Sequence, residues 1–168
     1  MLDGLDHFWQ ARQWSELSKL AAEEREQVLP AILAWADGGA RLSGVEVVQG
    51  FQQTMAMRRA TESVFETVDA VISPTTPNIA FPAEWASPTN DPRQPFEHIA
   101  YTVPWNMGEQ PAISLNAGLS KRNMPIGVQL IGPRFADHFV LKLARQLEAR
   151  LGLPMCLPMP VCDKSVLE

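Results

Sequence analysis

Two short apolar runs lie close together within residues 101–133, and they constrain the fold more than any other feature. The runs cover residues 111–118 and 125–132, and each is bounded by proline and glycine. Runs of this length with these boundaries are typical of strands, and their nearly continuous apolar character predicts strands covered on both faces. The polar link over residues 119–124 is short enough for a hairpin, although a longer connection is also compatible.

The residues before these strands have helical patterns. Residues 1–43 are predicted to form a helical lead-in, in which Pro30 either kinks a helix or marks its first turn. Ser43 and Glu46 have the spacing of a capping box, in which each side chain bonds the other residue's backbone N–H. A long helix is therefore predicted over residues 44–67.

The remaining elements follow from changes in pattern along the chain. Residues 70–73 form a compact apolar run that predicts a buried strand, and residues 74–95 hold six of the chain's 14 prolines, which predicts a long loop. A short helix is predicted over residues 96–103, ending before Pro104. Asp137 is the predicted N-cap of a strongly patterned last helix.

These elements predict one α/β domain over residues 1–168, with a β-sheet flanked by helices. Its expected parts are the lead-in, a sheet-and-helix core over residues 44–152 and an irregular, proline-rich tail over residues 153–168. The tail holds Cys156 and Cys162, which nothing supports as a disulfide or metal pair, so reduced thiols are expected.

Composition excludes several classes of protein. Apolar residues make up 46% of the chain and charged residues 20%, and 19 acidic residues outnumber 14 basic ones, which argues against disorder and against nucleic-acid binding. No apolar run reaches the length of a membrane span, and the first ten residues lack the features of a secretory signal. We expect a cytoplasmic protein without a membrane partner.

The common signatures of catalysis are missing from the sequence. His7, His98 and His138 are too scattered to predict a metal site, and the chain contains no Gly-x-Ser-x-Gly elbow, dinucleotide fingerprint or P-loop. We therefore expect no metal, no cofactor and no catalytic residue in this chain.

Polar residues at the ends of the predicted strands are the candidates for binding. Thr75 and Thr76 follow the first strand, and Trp105 and Asn106 precede the second. Because ligands of open α/β sheets bind outside the carboxyl ends of strands, these four residues are the predicted substrate-binding residues. An alternative stays open: each threonine, and Asn106, could instead bond the local backbone of a turn.

Four segments together resemble the C-terminal part of an amidase signature family enzyme. They read DAVISPTTP (residues 69–77), YTVPWN (101–106), QPAIS (110–114) and MPIGVQLIGP (124–133), in matching order and spacing. With the helices on either side, the likeness covers most of residues 42–151. The resemblance implies an α/β enzyme with a mixed central sheet that hydrolyses amide bonds or transfers the released ammonia. This chain would then hold a partial mixed β-sheet flanked by helices, the C-terminal portion of the amidase signature fold.

Members of this family use a serine nucleophile, a second serine and a lysine base in a Gly/Ser-rich region that has no match here. The one Gly-Gly pair is Gly38-Gly39, and none of the four lysines has a serine cluster beside it. No catalytic residue is therefore carried over. We expect a C-terminal fragment that supplies scaffold and pocket wall for a small amide substrate, is inactive alone and self-associates through uncovered apolar surface.

Two alternatives to a general amidase remain. One is a stand-alone, non-catalytic binding or assembly module. The other is the A subunit of a glutamine-dependent amidotransferase, which is less favoured because Ile99 takes the position of an acid that holds the amino acid substrate in those subunits. Glu109 also departs from the family pattern, since glycine is usual at its position.

Overall fold

Helices and three short strands alternate along residues 3–152, the part of the chain that this computed structural model describes. The predictions for residues 153–168, including Cys156 and Cys162, lie outside the described residues. The elements, in chain order, are α1 (Asp3–Leu17), α2 (Ala22–Arg25), α3 (Pro30–Ala36), a 3-10 turn (Asp37–Arg41), α4 (Gly44–Val64), β1 (Val71–Pro74), a second 3-10 turn (Glu97–Ile99), α5 (Val103–Gly108), β2 (Ala112–Leu119), β3 (Pro125–Ile131) and α6 (Asp137–Leu151).

The N-terminal helices follow the proline and glycine positions. Pro30 is the first residue of α3, where its missing N–H costs no hydrogen bond, so the first-turn alternative is confirmed. The chain then turns through a 3-10 segment that contains Gly38 and Gly39. A Cβ atom at Gly39 would collide with the backbone carbonyl of Gln10, so glycine lets this turn pack directly on α1.

The predicted capping box at the start of α4 is confirmed. The Ser43 hydroxyl accepts from the backbone N–H of Glu46 at 3.3 Å, and the Glu46 carboxylate accepts from the backbone N–H of Ser43 at 2.8 Å. The Ser43 backbone N–H, followed by the Ser43 hydroxyl that donates to the same carboxylate, lowers the pKa of Glu46. The helix ends at Val64, before the predicted end at Thr67, because the following residues bond three residues back in tight turns.

The three strands form one sheet in the order β1-β3-β2, and both pairings are antiparallel. The β2 and β3 strands and the short link between them confirm the predicted pair. Ser73, Gln129 and Ser114 align across the sheet, and Ile72, Leu130 and Ile113 align one residue further on. Because successive side chains point to opposite faces, the sheet has one apolar face and one face that carries polar groups.

The prediction that the strands are covered on both faces is wrong for the outer strands. Ile72 of β1 is 61% exposed and Leu119 of β2 is 59% exposed, whereas Leu130 in the central strand is 1% exposed. Helix α6 packs on β2 and β3. The apolar side chains of β1 therefore lie beyond the area that α6 covers. The α/β class, with a partial sheet flanked by helices, is confirmed, but the strands of residues 3–152 pair only antiparallel and do not form the expected mixed sheet.

Two separate groups of buried side chains hold these elements together. One joins α1, α4 and α5 through Leu5, Met57 and Val103, and we call these three helices with α3 the helical unit. The other joins the sheet to α6 through side chains that include Leu130 and Ala144, and we call it the sheet unit. The chain thus builds two packing units that meet along α5.

The prediction of a helix over residues 96–103 is wrong. Only a 3-10 turn forms at Glu97–Ile99, and the longer helix α5 begins at Val103 with Pro104 in its first turn. Proline at this position needs no N–H donor and has a φ angle suited to the helix, so it starts α5 instead of stopping the previous segment. Trp105 and Asn106 consequently lie on a helix.

The start of α6 also differs from its prediction. Ala136 is the N-cap, and Asp137 is the first residue of the helix, where its negative charge interacts favourably with the helix dipole. The helix otherwise follows its pattern, since Val140 and Ala144 are buried and Gly152 adopts a left-handed conformation at its end.

The outer face of α4 carries apolar side chains that are largely exposed, although the Phe51 ring contacts Phe8 of α1. Val45, Val48, Phe51 and Met55 are 66%, 56%, 51% and 39% exposed, and we call them the α4 stripe. The buried side of the same helix contains Met57 instead. Among the helices of residues 3–152, none has the length and apolar character needed to cross a membrane. The cytoplasmic location stays a prediction.

Candidate functional site

A cleft of about 200 Å³ lies where α5 faces the polar side of the sheet. We call it the seam cleft because its walls come from the two packing units. Its lining residues are Thr75, Thr102, Trp105, Asn106, Ala112, Ile113, Ser114 and Gln129. Three of the four predicted binding residues are therefore brought together, and Thr76 is not among them.

The sheet side of the cleft presents a pair of hydroxyl groups. Thr75 Oγ1 and Ser114 Oγ are 2.8 Å apart, and either can donate the hydrogen bond. The backbone N–H of Thr75 donates to the carbonyl of Gly127 at 3.0 Å, which continues the β1–β3 ladder. A Cβ atom at Gly127 would lie only 2.9 Å from Thr75 Oγ1. Glycine in the central strand therefore leaves room for the Thr75 side chain.

Gln129 ties the sheet to the segment before α5. Its side chain is buried, and its Nε2 donates to the carbonyl of Tyr101 at 2.7 Å and to Ser73 Oγ at 2.9 Å. Buried amides are costly unless they are bonded in this way, so these bonds fix the spacing between strand and helix. Gln129 thereby holds the N-terminal end of α5 over the polar face.

The helix side of the cleft is formed by Trp105 and Asn106. The Trp105 ring packs edge-on against Phe65, with ring centroids 6.2 Å apart. The backbone N–H of Asn106 donates to the carbonyl of Thr102 at 3.0 Å as part of α5. Packing within the helical unit thus places Trp105 and Asn106 in the same cleft as the hydroxyl pair on the sheet.

The two threonines have different surroundings. Thr76 Oγ1 donates to the backbone carbonyl of Asn78 at 2.9 Å, which is the local turn bond of the alternative interpretation. Thr75 instead bonds a side chain across the sheet. The geometry therefore favours Thr75 over Thr76 as a binding residue.

The sequence analysis missed Ser114, Gln129 and Thr102 as cleft residues. A signal existed for Ser114, since small or polar residues alternate with Ile113 and Leu115 along β2. For Gln129 the deciding fact is the strand register, which places it opposite both Ser73 and Ser114. Pattern alone could not supply that register.

The chemistry of the cleft is neutral. Hydroxyl groups, carboxamides and an indole line it, and its lining contains no acid, imidazole or ammonium group. Such groups can bind a neutral polar ligand through hydrogen bonds but cannot act as strong acids or bases near pH 7. Residues 3–152 also contain no cluster of acids, histidines or cysteines that could hold a metal ion.

A second pocket of about 300 Å³ lies between the helical unit and the long loop. Its walls include Ile32, Trp35, Phe96, His98 and Ile99, and we call it the aromatic pocket. The Trp35 and Phe96 rings meet edge-to-face with centroids 5.5 Å apart. The pocket is mainly apolar, and the convergent hydroxyl and amide groups lie in the seam cleft instead.

The sequence profile of the Amidase family matches residues 8–141. This chain belongs to the amidase family. The A subunit of glutamyl-tRNA(Gln) amidotransferase from Halothermothrix orenii is 39% identical over 92 residues, which is 55% of this chain and 19% of that protein. The chain thus spans about a fifth of the length of such curated relatives.

Solved structures agree on the fold of this amidase family member. The structure of 6-aminohexanoate cyclic dimer hydrolase superposes with a TM-score of 0.70 at 22% identity, covering 86% of this chain and 33% of that chain. A bacterial aryl acylamidase of the amidase signature family gives a TM-score of 0.71 at 19% identity, covering 88% of this chain and 33% of that chain. The chain therefore has part of the amidase signature fold.

Proposed function

We propose that this chain supplies scaffold and one wall of the substrate cleft to an amidase that hydrolyses carbon–nitrogen bonds with a Ser-Ser-Lys mechanism. The supporting observation is the seam cleft, where neutral hydrogen-bonding groups converge without any acid or base. On this proposal, Thr75, Trp105 and Asn106 contact the substrate together with Ser114. The reactive serines and lysine belong to a part of the enzyme that these residues do not match.

An uncharged amide fits the chemistry of this wall. Its carbonyl can accept from the Ser114 or Thr75 hydroxyl, its N–H groups can donate to the Asn106 carbonyl oxygen, and its apolar substituent can lie against Trp105. The cleft volume of about 200 Å³ is below the roughly 300–1,000 Å³ of a typical complete ligand pocket. The small volume of the seam cleft therefore supports the proposal that this chain forms one wall of the substrate pocket and that a second surface of the enzyme completes the pocket.

Turnover by the pure chain tests the absence of catalytic groups. We expect no ammonia release above the buffer rate from simple aliphatic and aromatic amides, because a serine needs a base and oxyanion donors around it to become nucleophilic. Amide hydrolysis by the pure chain that disappears when a cleft residue is substituted would contradict the proposal.

Binding tests the assignment of the cleft. Ser114→Ala should weaken the binding of hexanamide about fivefold, the equivalent of one hydrogen bond of about 1 kcal/mol. Thr76→Val is the matched control, because Thr76 bonds its local turn and does not line the cleft. Equal affinities for the wild type and Ser114→Ala, or a larger loss in Thr76→Val, would contradict the assignment.

A second candidate is the A subunit of a glutamine-dependent amidotransferase, which the 39% identity to the Halothermothrix orenii protein favours. The sequence argument against it rested on Ile99. In the structure, Ile99 packs on the helical core and lines the aromatic pocket, not the seam cleft. The missing acid at that position therefore does not decide the question. Tighter binding of glutamine than of hexanamide would favour the amidotransferase.

Self-association remains part of the proposal. The α4 stripe and the exposed Ile72 on edge strand β1 are apolar surfaces of the kind that recruit partners. Light scattering should show species larger than the monomer as concentration rises, and a constant monomer mass over a wide range would contradict this.

The gene sequence distinguishes the amidase from the stand-alone binding module. An upstream Gly/Ser-rich segment with paired serines and a lysine favours the amidase.

A further inference from the structure

We propose that Glu109 is a positioning residue for the seam cleft. Its carboxylate bridges Arg58 of α4 and Arg134 of the segment before α6, and this bridge holds the C-terminal end of α5, with Trp105 and Asn106, at a fixed distance from the sheet. The inference rests on the proposed function, because Glu109 would set the width of the proposed substrate cleft.

The backbone at Glu109 has a conformation that side chains normally avoid. Its φ and ψ angles are 61° and 29°, in the left-handed region, where it terminates α5. Glycine is the usual residue at such a helix end, since it has no Cβ atom to clash with the backbone. The side chain here accepts hydrogen bonds from two guanidinium groups, which gives a physical reason for glutamate at this position.

The bridge connects both packing units. Arg134 also donates to Glu62 of α4 at 3.0 Å, so we call Arg58, Glu62, Glu109 and Arg134 the ion-pair cluster. The Arg58 and Arg134 side chains are 25% and 24% exposed, which restricts their rotamers, whereas the Glu109 side chain is 52% exposed, so solvent screens its two ion pairs in part. The bond to Glu62, with a further contribution from Glu109, raises the pKa of Arg134. The guanidinium group therefore stays charged.

Helix α5 is held at its two ends by different contacts. At the N-terminal end, Gln129 donates to the carbonyl of Tyr101, and at the C-terminal end the ion-pair cluster holds Glu109. Trp105 and Asn106 lie within one helical turn of Glu109. Loss of the carboxylate would remove the contact that joins this end of the helix to α4 and to the segment before α6, and the cleft residues would move with it.

The test compares backbone and side-chain signals of the wild type and Glu109→Gln by NMR. We expect the Trp105 indole and Asn106 side-chain amide resonances to shift, and hydrogen exchange of the α5 amides to rise at least tenfold, as local opening becomes easier. Asp91→Asn is the matched control, because Asp91 also holds an arginine, Arg93, in the long loop. Unchanged α5 exchange in Glu109→Gln, or an equal rise in Asp91→Asn, would overturn the inference.

Two further variants separate the effect of losing the carboxylate from the effect of the left-handed backbone conformation at residue 109. Glu109→Gly removes the side chain and suits the left-handed φ angle, so faster α5 exchange supports the bridge and slower exchange contradicts it. Glu109→Asp keeps the charge on a shorter side chain and should give exchange between that of the wild type and that of Glu109→Gln. Any other order would show that the bridge does not control the helix.

Measurements of ligand affinity distinguish a failure of this inference from a failure of the proposed function. If the wild type binds no amide in the cleft, the proposed function fails, while the exchange measurements still decide whether Glu109 holds α5. If the wild type binds hexanamide, Glu109→Gln should weaken that binding about fivefold or more, as for the loss of one well-placed contact. Full affinity in a variant with a loosened α5 would overturn the role in the cleft.

Discussion

The helical unit and the sheet unit are assembled in different ways. Leu130 and Ala144 of the sheet unit lie close in sequence, on a strand and a patterned helix that follow each other directly. Leu5, Met57 and Val103 of the helical unit come from three helices that are far apart along the chain. The part of the sheet unit made of β2, β3 and α6 can therefore form through local contacts, whereas β1 and the helical unit require distant segments to meet.

The seam cleft lies between these two differently assembled units. Ser114 and Gln129 are fixed by strand register in the sheet unit, while Trp105 and Asn106 are fixed by helix packing in the helical unit. Side chains carried by rigid elements keep their positions, and a site between two such elements changes when either one shifts. The cleft therefore depends on both units and on the contacts that join them at α5.

The largest expected effect comes from the core of the sheet unit. Leu130→Ala should lower the free energy of unfolding by about 4 kcal/mol, because Leu130 is 1% exposed and a cavity would remain. Denaturant unfolding measures this change. Leu141→Ala on α6, where the side chain is 58% exposed, should change the free energy by less than about 0.5 kcal/mol. Similar losses in the two variants would contradict the assigned core.

The next effect tests the core of the helical unit. Leu5→Ala should lower the free energy of unfolding by about 3 kcal/mol, since Leu5 is fully buried but lies on the first helix, where the chain can relax more easily. Hydrogen exchange should then rise in α1, α4 and α5 while α6 keeps its protection. An equal rise in the hydrogen exchange of α6 would show that the two units open together, and it would contradict their separate assembly.

A smaller effect concerns the start of α4. Ser43→Ala removes the hydroxyl that accepts from the backbone N–H of Glu46 and should cost about 1 kcal/mol of stability, measured by thermal unfolding. Ser63→Ala is the control, because its hydroxyl only donates to the carbonyl of Ala60 within the helix. A loss in Ser63→Ala as large as that in Ser43→Ala would argue against the capping role.

The smallest effect is the pH dependence of the same cap. The pKa of Glu46 lies below its ordinary value of 4.5 in the folded chain, mainly through the backbone N–H of Ser43. Its stabilising effect is therefore fully present above pH 4.5 and is lost as pH falls through the lowered folded pKa. The melting temperature of Glu46→Gln should approach that of the wild type over this range. A difference independent of pH would contradict the prediction.

Parts of the fold that depend on local pattern could be predicted from the sequence. Strands β2 and β3, the capping box and α6 all follow from alternation, spacing and end signals within a few residues. Helix α5 was misplaced because Pro104 can either end a preceding segment or start a new helix, and only packing against α4 selects the second option. The position of α5 is therefore decided by tertiary contacts that the sequence pattern does not contain.

The candidate site was predictable to a similar degree. Thr75 is predicted because it follows the end of β1, and Trp105 and Asn106 because they precede β2, and all three line the seam cleft. The rule that selects Thr75 also selects Thr76, whose hydroxyl serves a local turn. Gln129 was missed because its place in the cleft depends on strand register. The role of Glu109 required its φ angle and its two arginine partners, neither of which sequence spacing reveals.

The central claim is that both packing units together form one wall for an amide ligand. An NMR titration of the labelled chain with hexanamide tests it most directly. We expect the Trp105 indole resonance and the Gln129 side-chain amide resonance to shift together, with one shared Kd. Shifts confined to Trp35 in the aromatic pocket, or to one side of the seam cleft alone, would contradict it.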